Sequence, residues 1–128
     1  MLERRFGFRI PLSVFATSYV RDRAVRALCS DVSDTGVAMT TAFGAAPPPG
    51  TVVAVELQLP GVADTVWAAG EVRRRYRAPA TYMTTDIGLR FTGIARVHAR
   101  LLRDYCLEAR RDSMTRLLSR ARLGWAAP

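Results

Sequence analysis

Three observations predict an all-β domain completed by a C-terminal α-helix. Six short segments carry apolar residues at every second position, turn-forming residues separate them, and the period changes to about 3.6 from Ile94 onward. Short strands of this kind assemble as an antiparallel sandwich or barrel. At 128 residues the chain is expected to form one domain, with a core large enough to need neither metal nor disulfide staples.

The first strand is expected over Ile10–Val20, where Leu12, Val14 and Ala16 alternate with Ser13, Phe15 and Thr17. A charged turn at residues 21–23 leads into Ala24–Val32 and Val37–Thr41, which flank a turn at Ser33–Gly36 as a hairpin. The run Ala45–Gly50 holds three prolines, which exclude it from a central strand or a helix and make it a rigid connection. Thr51–Leu59 follows, with Val53, Val55, Leu57 and Leu59 on one face and Glu56 and Gln58 on the other. Val66–Tyr76 and Thr85–Phe91 complete the strands. Ile94, Val97, His98, Leu101, Leu102 and Tyr105 then recur at helical spacing. The stripe falters at Arg110–Ser113 and resumes with Met114, Leu117, Leu118 and Ala121, so one long helix and two shorter ones both fit.

Charge points to anionic partners. The net charge is +8, and all 19 basic residues are arginine. GC-rich coding accounts for such a bias without function, yet arginine's planar fork still grips phosphate or a guanine edge in a bidentate way. Cys29 and Cys106 stand far apart among apolar neighbours, which favours buried free thiols over a disulfide or a metal pair. The N-terminal segment is interrupted by Arg9, Pro11 and Ser13 and lacks a small-residue cleavage site, so a cytoplasmic, unprocessed chain is expected, with no membrane span. The single histidine, His98, lies on the apolar helix stripe as a packed residue. With no HxxxH, CxxC or paired-carboxylate spacing and no phosphate-cradling glycine loop, the residues argue against an enzyme and against a metal site.

The stretch Cys29–Met39, CSDVSDTGVAM, carries more oxygen than a turn requires: Asp31, Ser33, Asp34 and Thr35 crowd five positions. A carboxylate at Asp31 can accept from the N1–H and exocyclic amine of a guanine. The Ser33 hydroxyl can meet a phosphate or base edge, and Gly36 permits a positive φ or a close backbone approach. Upstream, Arg5 and Arg9 stand four apart in a segment too short and too glycine-bearing for a stable helix, a pair able to close around a compact dianion. A third basic cluster runs through Arg73, Arg74, Arg75 and Arg77; Glu71, Arg73, Arg75 and Arg77 share one face under strict alternation, with Val72 opposite. A solvated outer face is the simpler explanation for that cluster.

RxxxR at Arg5–Arg9 followed by DxSxxG at Asp31, Ser33 and Gly36 resembles the signature of the PilZ domain, a bacterial receptor for cyclic di-GMP. The middle strand PGTVVAVELQLP and the last strand DIGLRF are also similar to the family's. The resemblance covers nearly the whole chain and implies a six-stranded antiparallel β-barrel with a C-terminal α-helix. It divides the chain into a flexible ligand-binding arm (1–9), barrel and helix (10–109), and a helical extension (110–128) beyond the usual core. It further implies a non-enzymatic receptor that holds cyclic di-GMP, without any other cofactor, through Arg5, Arg9, Asp31, Ser33 and Gly36. Arg4, just before RxxxR, is similar to the arginine of members that hold two nucleotides per chain; Arg73 and Arg75 are weaker candidates. Ordering of the arm would relay binding to a downstream protein, and the extension's stripe of Met114, Leu117, Leu118 and Trp125 fits either a partner or a homodimer. Two other classes stand beside this one: a ligand-independent interaction adaptor of the same fold, and a basic barrel for single-stranded nucleic acid, which requires exposed aromatics along a basic groove.

Overall fold

The computed structural model describes residues 9–42, 44–77 and 83–126, with side chains for all of these except 76, 77 and 122–126. Six strands, β1 (Ile10–Val20), β2 (Arg23–Val32), β3 (Gly36–Ala42), β4 (Val52–Leu57), β5 (Val66–Arg77) and β6 (Thr84–Ile94), precede one helix, α1 (Arg96–Ala126). They form a closed antiparallel barrel in the order β1-β2-β3-β6-β5-β4, the last pairing with the first. Alternation decides which side chains enter it. Val32, Val37, Met39, Val55, Leu57 and Val72 are almost wholly buried, and burial at this level contributes about 1.5–3 kcal/mol per large aliphatic side chain.

β1 and β2 are joined by a two-residue loop, with Val20 opposite Arg23. Arg21 and Asp22 both take positive φ, 50° and 66°, the backbone that matches the twist of a tight hairpin. Two strand ends differ from the sequence expectation by more than one residue. β4 stops at Leu57, although Leu59 is still buried and its carbonyl accepts from the Val62 N–H as the chain turns. β6 runs on to Ile94 because Gly93 and Ile94 still pair with Ala69 and Ala68.

The helix is single and continuous through Arg110–Ser113. Its inner face is Leu102 and Cys106, both buried, with Leu101, Tyr105 and Ala109 packed against the barrel core. Val97, expected on that stripe, is 63% exposed, because the inner face is centred on Leu102 and Cys106, away from it. His98 is half-buried, and its Nδ1 accepts from the Trp67 N–H at 3.1 Å. Among the described residues, none beyond Ala109 packs on the barrel core, and Met114, Leu117 and Leu118 are all exposed.

Both cysteines are free and buried. Burial, reinforced by the Asp31 carboxylate, pushes the Cys29 thiol up to about 12. Burial, reinforced by Asp34, pushes Cys106 up to about 11. Both are therefore thiols at neutral pH, and inert ones.

Candidate ligand site

Two irregularities in the ladder frame the site. β1 is bulged between Pro11 and Val14, and β2 between Cys29 and Asp31, so Asp31 faces Pro11 on one side and Ala38 on the other. A bulge re-aims the side chains next to it. Here it sets the Asp31 carboxylate against the guanidinium of Arg9, Nη1 to Oδ1 at 2.9 Å, with both side chains partly exposed (53% and 28%). Two residues singled out from separate motifs, 22 positions apart, thus meet in space.

The hairpin turn is held from within. The Ser33 N–H donates to the Gly36 carbonyl at 2.9 Å. Its Oγ accepts from the Thr35 N–H at 3.2 Å and lies 3.1 Å from the Thr35 hydroxyl. Thr35 in turn offers its carbonyl to the Phe91 N–H, tying the turn to β6. Ser33 is only 4% exposed, so part of the turn's oxygen surplus serves the turn itself. Asp34 is different: its Oδ1 is buried and has no hydrogen-bond partner among the described residues.

Gly36 is required for closeness. Its φ is not in the left-handed region. A Cβ at this position would sit inside the van der Waals shell of the Leu89 carbonyl oxygen on β6, which as backbone cannot move aside cheaply.

Beside this contact lies an open pocket of about 370 Å³, walled by Arg9, Arg73, Arg74 and Arg90 over a floor of Gly36, Val37, Gly88 and Leu89, with Thr35 at its rim. Arg73 comes within 3.9 Å of Glu71, a weak, exposed contact. Strict alternation on β5 fails here. A bulge between Val72 and Arg74, opposite Leu89–Gly88, leaves Arg73, Arg74 and Arg75 all exposed in succession. Arg74, expected on the face opposite Arg73, therefore shares the pocket with it. Arg75 instead sends its Nη1 toward the Ala46 carbonyl at 3.4 Å. Arg74 and Arg90 were not legible as site residues. The signal for Arg74 was the run of three arginines inside a strand, a pattern that a regular half-buried strand does not carry.

The pocket can hold a compact, multiply charged anion against glycine-lined backbone. Among the described residues no aromatic side chain lines it. Phe15 and Trp67 are exposed elsewhere, Phe15 under the Arg26 guanidinium and Trp67 stacked on Tyr19. Among the described residues no group of three potential ligands could hold a metal ion, and no helix is long and apolar enough to cross a membrane. Arg4 and Arg5 lie outside the described residues.

No curated protein matches the chain in sequence. Among solved structures, the inhibitor of motility MotI/DgrA of Bacillus subtilis superposes with a TM-score of 0.76 at 20% identity, over 87% of this chain and 53% of that one. This chain thus spans about half of that protein. The PilZ domain of YcgR from Escherichia coli, solved with c-di-GMP, gives 0.64 at 18% identity, over 90% of this chain and 98% of that one. The MrkH–c-di-GMP complex of K. pneumonia gives 0.68 at 12% identity, over 90% and 56%. These likenesses establish the fold. The PilZ domain family model matches residues 3–108, ending beside Ala109, the last of the described helix residues packed on the barrel core, and the chain belongs to the PilZ domain family.

Proposed function

We propose that the protein is a non-enzymatic receptor for cyclic di-GMP, bound on the outer surface of the barrel between the segment preceding β1 and the β2–β3 hairpin. The observation that carries this reading is the meeting of Arg9 and Asp31 at the edge of a pocket walled by four arginines. The ligand has what each group lacks. Its phosphates are acceptors for guanidinium forks, and a guanine edge presents two N–H donors to a carboxylate. Membership of the family and the structural neighbours solved with c-di-GMP support the same ligand.

Binding then exchanges partners. In the free protein Arg9 and Asp31 satisfy each other through an exposed pair worth about 0–1 kcal/mol, so separating them is cheap. Arg9 turns to phosphate and Asp31 to guanine, each gaining a charge-assisted bond worth roughly 1.5–3 kcal/mol. Ser33 contributes its hydroxyl and the shape of the turn. Gly36 contributes close approach to β6, and Arg73, Arg74 and Arg90 supply positive potential. Arg4 and Arg5 complete the phosphate contacts, and with Arg4 present the chain holds two nucleotides. Pinning residues 1–9 against the barrel creates a composite surface that a downstream protein reads.

Calorimetry of the full chain against cyclic di-GMP, GTP and a single-stranded DNA oligomer tests the reading. Saturable binding of cyclic di-GMP alone, at two per chain, is expected. Heat from the DNA oligomer alone would move the protein to the nucleic-acid class. No heat from any of the three would leave the interaction adaptor.

A further inference from the structure

We propose that the outward face of α1 is a docking surface for an anionic lipid bilayer, on which the helix lies flat with the barrel behind it. The face is defined by what the helix already buries. Leu102 and Cys106 point into the barrel. At about 100° per residue, Arg96, Arg100, Arg103 and Arg111 fall on the side away from it, within a sector roughly 80° wide, and all four are exposed. Leu107, Met114 and Leu118 share that sector and are 45%, 47% and 59% exposed.

The acids of the helix are elsewhere. Asp104, Glu108 and Asp112 line a groove along its flank, beside Pro11 and Pro60–Val62. The outward face therefore combines cations with apolar side chains, and its one neighbouring acid, Asp104, stands at the border with the flank groove.

That combination selects the occupant. A second copy docked face to face would set four arginines against four. An acidic protein could match the charge, but a convex helix face offers no cavity to recognise a particular shape, and neither the arginine-walled pocket nor the flank groove includes any of these residues. A fluid anionic surface meets both requirements: headgroup phosphates for the guanidinium groups, and an acyl boundary for Leu107, Met114 and Leu118. Arginine stems can lie along that boundary while their charged ends stay at the phosphates. Such a helix lies on the membrane and does not cross it.

Co-sedimentation of the full chain, without nucleotide, tests this with vesicles of phosphatidylcholine alone and vesicles in which about a quarter of the lipid is phosphatidylglycerol. The protein should sediment with the anionic vesicles only. Arg100→Glu/Arg111→Glu should weaken partitioning at least about tenfold, and Leu107→Asp/Leu118→Asp should also release the protein. Both variants should keep their helical circular dichroism and whatever cyclic di-GMP affinity the parent has, because the substituted side chains are outside the nucleotide pocket. The lipid result thus stands or falls separately from the nucleotide result. Equal sedimentation with neutral vesicles, or none with either, would overturn the proposal. So would light scattering that shows a dimer dissociated by Leu107→Asp/Leu118→Asp, since that would assign the face to a second copy.

Discussion

The two sides of the ligand pocket are built on opposite plans. The β2–β3 hairpin is braced from within: Ser33, Thr35 and Gly36 bond to one another, Thr35 binds the turn to β6, and Asp34 Oδ1 alone is buried without a partner among the described residues. On the β5–β6 wall, Arg73, Arg74 and Arg90 line the pocket, and among the described residues their one ion pair is the 3.9 Å contact of Arg73 with Glu71. One side is shaped before any ligand arrives, whereas the other holds potential that a ligand must neutralise. Shape and charge have been assigned to different strands, so substitutions on the two sides should fail differently.

The sharpest break is Gly36→Val. It should force β3 and β6 apart, lowering stability by about 3 kcal/mol and the melting temperature by roughly 10 °C or more, with binding lost as a consequence. A melting curve that superposes on the parent's would show that the Gly36–Leu89 contact relaxes freely. Arg9→Ala tests the boundary between the two sides. Cyclic di-GMP affinity should fall about tenfold to a hundredfold, while stability changes by no more than about 0.5 kcal/mol, because the pair it loses is exposed. Calorimetry and thermal melting on one preparation decide it.

Arg74→Ala should have a smaller and salt-dependent effect. We expect about a tenfold loss at low ionic strength, shrinking towards parity near 1 M salt, where the screening length is about 3 Å. A loss independent of salt would give Arg74 a short directional contact in place of a field effect.

The weakest probe lies behind the hairpin. Cys29 and Cys106 have folded-state values of about 12 and about 11, against 9.0 for the unperturbed thiol. Between these values the unfolded chain loses the proton first, so stability is full below about pH 9 and declines as pH rises through about 11–12. Tyr105, also raised chiefly by burial, acts in the same direction. Urea midpoints measured across that range should fall steadily, and less steeply in Cys106→Ala. At neutral pH both thiols should resist a thiol reagent until the protein is unfolded.

Most of the fold could be read from alternation because one face of each strand is buried and the other wet. Val53, Val55 and Leu57 made β4 unmistakable, and Leu102 and Cys106 confirm the helical period. What escaped the reading were departures from periodicity. The bulge that turns Arg74 into the pocket depends on how β5 pairs with β6, a non-local register that a local pattern does not encode. The same is true of Gly36: its spacing in DxSxxG marked it, but only the neighbouring strand shows that closeness to Leu89, and not a positive φ, is the constraint. Arg9 and Asp31 were each legible as chemistry. The family resemblance gave both to one ligand; that the two side chains also meet each other, at 2.9 Å, was not legible.

Closure of the sheet has a consequence for how any signal leaves this molecule. Because Ala54–Leu57 of β4 pair back onto Ala16–Tyr19 of β1, the ladder closes on itself, and among the described residues it is chiefly the first half of β1 that lacks a β4 partner. Strand addition, a recurring way in which an extended peptide captures a sheet protein, is largely confined to that short stretch, as is edge-to-edge aggregation. Elsewhere partners must read side chains on the barrel's outer wall, its ends or the helix. Recognition over most of this surface should then be sensitive to single side-chain substitutions and indifferent to backbone-mimicking peptides.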